Sequence, residues 1–174
     1  MIAVDTNLLV YAHREDSPWH DAAVKMLTEL ANGSSMWAIP WPCVHEFLAI
    51  VTHPKIYRPP TPMPIALAAI RAWTGSRSLR FLGESPDHLD RLEHLVLAAK
   101  AVGPMVHDAR IAALCASHGV RQFWSADRDF SRFPSLKIKN PLVENRKRRA
   151  PDGRLDYHSQ NGSGLTTGSK SDQC

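Results

Sequence analysis

Residues 1–11 read MIAVDTNLLVY, a short apolar run followed directly by an acid. The run from Met1 to Val4 predicts a β-strand buried on both faces, since strands of parallel sheets are continuously apolar. Asp5 then stands where this strand ends. Active sites of open parallel sheets lie outside the carboxyl ends of their strands. Asp5 is therefore the first candidate site residue, although an Asp there could also cap the following turn.

Apolar runs of this kind alternate with segments of helical spacing along the rest of the chain. Further strands are predicted at residues 36–39, 79–82, 122–124 and 136–138. Helices are predicted at residues 19–30, 44–52, 65–74 and 108–117, with another that begins at Pro86. The helix at 44–52 has little polar surface and is predicted to be mostly buried. Strands separated by helices predict an α/β fold with a parallel sheet covered on both faces.

The length and composition predict one domain followed by a tail. A chain of 174 residues with 44% apolar side chains can bury one good core, which we place at residues 1–143. Residues 144–174 begin with the basic run Arg146–Arg149 and continue as a Gly/Ser-rich segment with almost nothing to bury, which predicts a disordered tail. The tail is either a solvated appendage or a basic arm that contacts a phosphate backbone.

Charge, hydropathy and cysteine content exclude several classes of protein. The net charge of +4 is weak evidence for nucleic-acid binding, because residues 1–143 carry 15 basic against 13 acidic side chains. We expect a cytoplasmic protein with no membrane partner, since no apolar run reaches the length of a membrane span and no signal-type segment is visible. The three widely spaced cysteines predict neither a disulfide framework nor a structural zinc site.

Glu46 is the most informative acid in the sequence. It is the only acid between Glu29 and Glu84, and it lies in the apolar stretch CVHEFLAIV at residues 43–51. An unpaired carboxylate in such surroundings would be costly to bury. Compensation could come from a side chain such as Arg110 or His45, but a bound cation is favoured once the other acids are considered.

Two later acids stand at boundaries of predicted elements. Asp108 begins a predicted helix and could be its N-cap, yet Ile111, Ala112 and Cys115 place it on the inward-facing stripe. Asp127 follows the strand at residues 122–124 and could instead organise the turn there. Carboxylate oxygens are hard ligands, so a site made of these acids favours Mg²⁺ or Mn²⁺ over zinc.

Known motifs for other chemistries are missing. His45-Glu46 begins like the HExxH helix of zinc proteases, but Ala49 occupies the position of the second histidine. The sequence has no GxxxxGK[ST], GxGxxG or GxSxG motif, which argues against nucleotide hydrolysis, dinucleotide binding and serine acyl transfer. Asn7 replaces the second acid of DxDxT, which disfavours a phosphotransferase that uses Asp5 as its nucleophile.

The order of these segments resembles the PIN-domain ribonucleases, and among them the VapC toxins of bacterial toxin–antitoxin pairs. The resemblance runs from residue 1 to about 143, and four features carry it: VDTNLLVY at residues 4–11, the mid-helix Glu46, HDARIA at residues 107–112 and SADRDF at residues 125–130. It implies a three-layer α/β/α sandwich with a central parallel sheet of four to five strands. It also implies hydrolysis of RNA with one or two Mg²⁺ ions, for which Mn²⁺ can substitute.

The resemblance also implies roles for individual residues and partners. The catalytic and metal-binding acids are Asp5, Glu46, Asp108 and Asp127, the supporting residues are Asn7 and Ser125, and Asp129 is an auxiliary acid. The implied partners are an RNA substrate, a cognate antitoxin protein and a second copy of the chain in a homodimer. Two alternatives are a structure-specific DNA nuclease of related fold and a non-catalytic RNA-binding module. The sequence does not predict which RNA is cut.

Overall fold

The computed structural model describes residues 1–143, and the predicted tail at 144–174 lies outside the described residues. The strands are β1 (Ile2–Val4), β2 (Trp37–Pro40), β3 (Leu79–Leu82), β4 (Gln122–Trp124) and β5 (Ile138–Lys139). The helices are α1 (Thr6–His13), α2 (His20–Asn32), α3 (Trp41–Val51), α4 (Met63–Thr74), α5 (His88–Ala98) and α6 (Met105–Ser117), with a 3₁₀ helix at Asp129–Arg132. No helix in the described part is long and apolar enough to cross a membrane.

The five strands form one parallel sheet in the order β3-β2-β1-β4-β5. Ala3 of the central strand β1 pairs with Ala38 of β2 and Phe123 of β4. The predicted fold class is confirmed, because helices flank this sheet as in a three-layer α/β/α sandwich. Since all strands run the same way, their carboxyl ends meet along one side, here named the carboxyl edge.

The sheet is the centre of the core. All four residues of β2 are buried, and so are Ala3 and Val4 of β1. Phe47 of α3 and Phe123 of β4 are among the largest fully buried side chains. The central strands are buried on both faces, as their continuous apolar runs predicted.

Three helices begin earlier than predicted. Pro42 and Pro64 lie in the first turns of α3 and α4, where a missing N–H breaks no helical hydrogen bond, so neither proline delays its helix. Pro104 similarly precedes the first residue of α6, so Asp108 lies within that helix and the N-cap interpretation of Asp108 is wrong. Helix α1 was not predicted, and it starts immediately after Asp5.

Helix α3 also differs from its prediction in burial. Cys43, Val44, Phe47 and Val51 are buried, as expected for a helix on the sheet. The opposite face, which includes Trp41, His45 and Glu46, is exposed to solvent. The prediction of a mostly buried helix was wrong, because apolar side chains such as Trp41 and Ala49 also occupy the solvent-facing side.

Candidate active site

Asp5 is fixed at the junction of β1 and α1. Its backbone N–H donates to the Trp124 carbonyl at 3.0 Å, which continues the pairing of β1 with β4. Its side chain caps α1 by accepting from the Thr6 backbone N–H, with 2.8 Å between nitrogen and Oδ1. Only 4% of the residue is exposed. The capping role considered from the sequence is therefore real, but it uses one of the two carboxylate oxygens.

The second oxygen of Asp5 belongs to a polar network with Asn7 and Ser125. Ser125 Oγ donates to Asp5 Oδ2 at 2.6 Å, and Asn7 Nδ2 donates to the same oxygen at 2.7 Å. Asn7 Nδ2 also lies 3.0 Å from Ser125 Oγ, while its carbonyl oxygen accepts from the Ala126 N–H at 3.1 Å. These bonds join the start of α1 to the end of β4 and hold the Asp5 carboxylate in one orientation.

Glu46 reaches the same network from α3. Thr6 Oγ1 donates to Glu46 Oε2 at 2.6 Å. Arg110, one proposed partner, instead binds Glu84 at 2.7 Å. The argument that Glu46 needs compensation for burial was wrong, because the residue faces solvent. Thr6 was not predicted as a site residue, although it directly follows Asp5 and therefore lies at the same end of the sheet.

Asp108 lies in the first turn of α6 and is half-buried. Ile111, Ala112 and Cys115 on its stripe are all buried, so the carboxylate stands at the rim of the core as predicted. Burial raises the pKa of Asp108, and repulsion from Asp127, Asp129 and Glu46 raises it further. Asp108 therefore faces acids contributed by α3 and by the segment after β4.

Asp127 and Asp129 are exposed on the segment that follows β4. The Asp127 N–H donates to Ser125 Oγ at 2.9 Å, and its Oδ1 accepts from the Asp129 N–H at 2.9 Å. Asp127 thus organises the turn and also contributes charge to the acidic cluster. Asp129 contributes to the same field at Asp108, and its carboxylate lies 4.0 Å from Arg132 Nη2.

Within residues 1–143 negative charge dominates the electrostatics of the site, and His107 opposes it in part at Asp108. Burial raises the pKa of Asp5 to about 7, against the lowering effect of its hydrogen bonds from Ser125 and Thr6. Repulsion from Glu46 and Asp127 adds to the rise. No Lys or Arg within residues 1–143 forms a salt bridge with Asp5, Glu46, Asp108 or Asp127. A bound cation would relieve this repulsion.

The donor set fits a hard divalent cation held partly by water. In the described residues no three His, Cys, Asp or Glu side chains are placed closely enough to hold a metal ion by themselves. Mg²⁺ does not require such a cage, because it keeps several waters and binds through one or two carboxylates plus substrate phosphate. Glu46 and Asp127 are exposed, and their hydrogen bonds with Thr6 Oγ1 and the Asp129 N–H occupy one carboxylate oxygen of each, so the other oxygen would be available to an ion.

One further residue and two surface cavities bear on the location of the site. Cys43 places its Sγ 3.8 Å from Asp5 Oδ1, and burial raises the pKa of this thiol so that it stays protonated. Two surface cavities of about 640 and 550 Å³ lie elsewhere, the first beside Gly33 and Gly75 and the second beside Arg14 and Thr61. Neither cavity is lined by Asp5, Glu46, Asp108 or Asp127.

The network around Ser125 leads to a stability prediction. Ser125→Ala should lower the free energy of unfolding by about 1–3 kcal/mol, because it removes a donor to Asp5 and leaves the Asp127 N–H without this acceptor. Urea unfolding followed by circular dichroism measures this change. The exposed Ser131→Ala is the matched control, with an expected change within about 0.5 kcal/mol. Equal stabilities of the two variants would contradict the network's importance.

Comparisons with known proteins agree on one family. A family model described as PIN domain matches residues 2–136. Ribonuclease VapC48 of Mycobacterium tuberculosis is 31% identical over 138 residues, which cover 79% of this chain and 95% of the relative. Ribonuclease VapC33 of the same species is 31% identical over 144 residues, which cover 83% of this chain and 100% of the relative.

A solved structure also shares the fold. It is the crystal structure of VapBC2 from Rickettsia felis bound to a DNA fragment from their promoter, which is similar to this chain with a TM-score of 0.60 and 19% identity. The match covers 80% of this chain and 98% of that one. At this identity the likeness supports the fold alone.

Proposed function

Since this chain belongs to the PIN-domain family, we propose that it is a VapC-type endoribonuclease, which hydrolyses RNA phosphodiester bonds with Mg²⁺ or, in its place, Mn²⁺. One observation carries the proposal: Glu46 and Asp127 raise the pKa of both Asp5 and Asp108, so acids from four separate segments act on one another at the carboxyl edge, and no Lys or Arg of residues 1–143 forms a salt bridge with these four. The relatives with 31% identity are both named ribonucleases.

Asp5, Glu46, Asp108 and Asp127 would hold the metal, with Asp129 as an auxiliary acid. When bound, Mg²⁺ supplies positive charge that lowers the pKa of water and neutralises charge developing on the phosphate. The rest of the site fixes the ligands in place. Ser125 and Asn7 hold one oxygen of Asp5, and Thr6 holds Glu46. Such support matters because ligating carboxylates are themselves oriented by hydrogen bonds.

The proposal includes a cognate antitoxin protein, a homodimer and a cytoplasmic location. The names of the relatives support the antitoxin partner, because both are VapC proteins and the sequence resembles the VapC toxins of toxin–antitoxin pairs. Several large apolar side chains on α5 and the loop after it are strongly exposed, which supports contact with another protein surface. They are Leu89, Leu97 and Val102, with 72%, 68% and 74% exposure.

RNA cleavage by the purified 174-residue chain tests the proposed function. We expect labelled RNA to be cut at internal positions in Mg²⁺ or Mn²⁺ and to remain intact when EDTA removes the metal. Single- and double-stranded DNA of matched sequence serve as the control substrates, and both should remain uncut. Metal-independent RNA cleavage, or cleavage of DNA alone, would overturn the proposal.

A further inference from the structure

Three aromatic rings, contributed by α3 and β3, stack at the carboxyl edge of the sheet. Trp41 and Phe81 have ring centroids 4.9 Å apart at an interplanar angle of 25°, while Trp41 and His45 are 5.8 Å apart at 28°. Trp41 is 42% exposed and His45 is also exposed. We propose that this aromatic stack is a subsite for an unpaired base of single-stranded RNA next to the cleaved phosphate, an inference that rests on the proposed nuclease function.

The stack lies on the same edge of the sheet as the acids. Trp41 is the first residue after β2, and Phe81 occupies the penultimate position of β3. A Cβ built on Gly83, just beyond β3, would lie 3.8 Å from Trp41 Cδ1, so the indole edge reaches the start of the following loop. His45 immediately precedes Glu46 in α3, so one ring of the stack and one candidate metal ligand belong to the same helical turn.

The geometry of the stack differs from that of aromatic pairs elsewhere in the protein. The contacts His13–Phe47 and Phe47–Trp73 have interplanar angles of 84° and 64°. Packed rings adopt both offset-stacked and edge-to-face arrangements, and the contacts in the core are of the edge-on or tilted kind. The stack at the edge is flatter and solvent-exposed, so a planar group can extend it.

A nucleobase is the planar group that fits this position best. Single-stranded RNA is bound by stacking unpaired bases on aromatic side chains, with little dependence on sequence. The acids would engage the phosphate through metal, so a base beside that phosphate falls near His45 and Trp41. Trp41 is not part of the buried core, whereas Trp37, four residues earlier, is fully buried in it.

Binding of two RNA probes tests the subsite. All variants carry Asp5→Asn to prevent cleavage, and binding in Mg²⁺ is followed by fluorescence anisotropy. The probes are a labelled single-stranded oligoadenylate and an abasic ribose-phosphate oligomer of equal length. Trp41→Ala should weaken binding of the oligoadenylate by about 5- to 100-fold, because it removes the ring that joins Phe81 to His45 and so breaks up the stack that a base would extend, and should leave binding of the abasic oligomer unchanged.

Two variants separate stacking from a structural effect. Trp41→Phe keeps an aromatic ring and should bind oligoadenylate within a few-fold of the parent, while the exposed Val24→Ala on α2 should match the parent. Equal weakening of both probes by Trp41→Ala, or no weakening, would overturn the subsite. Metal-dependent RNA cleavage is measured separately with Asp5 intact. Its failure would remove the nuclease function, while base-dependent binding would still support the subsite.

Discussion

Asp5→Asn is expected to lower kcat for RNA cleavage by about 100-fold or more. Asn keeps the size of the side chain but removes its negative charge, and its amide nitrogen would face donors from Ser125, Asn7 or Thr6. Stabilisation of transition-state charge by a metal is worth several kcal/mol, and 1.36 kcal/mol corresponds to a tenfold change in rate. Single-turnover cleavage of labelled RNA in saturating Mg²⁺ measures the loss.

The matched control is Asp21→Asn, which removes an exposed carboxylate from the first turn of α2. Asp21 is not among the groups that shift the pKa of Asp5 or Asp108, so this variant should cleave RNA at the parental rate. Circular dichroism would verify that both variants are folded. Parental activity in Asp5→Asn would contradict the assignment of Asp5 as a metal ligand.

The main features of the fold were predictable because they depend on local patterns. The strand at Leu79–Leu82 and the strand at Gln122–Trp124 were predicted with their observed bounds. Their apolar runs are short and lie between glycines or polar residues, which restricts where each can begin and end. Helix α1 was missed because Thr6 to His13 is short, and its apolar residues Leu8, Leu9 and Val10 also suit a strand.

The candidate site was only partly predictable for a different reason. Asp5 follows a strand in sequence, so its place at the carboxyl edge follows from chain direction. The partner of Glu46 does not, because Thr6 is 40 residues away and their hydrogen bond depends on how α3 packs against α1. The exposure of Trp41 could not be predicted either, because the sequence of an apolar helix does not show which of its apolar side chains face solvent.

The structure also separates two functions of the same side chains. Asp5 caps α1 and Asp127 organises the turn before the 3₁₀ helix, so each has a structural role that would suffice to explain it alone. Neither role explains why Glu46 and Asp108 project towards them from α3 and α6. The mutual repulsion of these acids opposes folding, and a cation bound at the proposed site would offset that repulsion.

The second large effect is a loss of stability of the metal-free protein as pH rises. The pKa of Asp5 is about 7 in the folded protein, compared with an ordinary value of 3.8. Because the folded state binds this proton more tightly, the stabilising contribution is complete below the ordinary pKa and is lost as pH rises to about 7. In EDTA, the unfolding free energy of the wild type should fall between pH 5 and pH 8, by about 2–3 kcal/mol relative to Asp5→Asn.

Urea unfolding in EDTA at these two values of pH, with Asp5→Asn as reference, isolates the contribution of Asp5. This reference is needed because burial lowers the pKa of His13, whose effect on stability has the opposite sign. Mg²⁺ binds the charged form of the acids, so at pH 8 it should raise the Tm of the wild type more than that of Asp5→Asn. If the difference in unfolding free energy between the wild type and Asp5→Asn is the same at pH 5 and pH 8, Asp5 does not titrate in this range. Equal responses of both proteins to Mg²⁺ would show that the ion binds without Asp5.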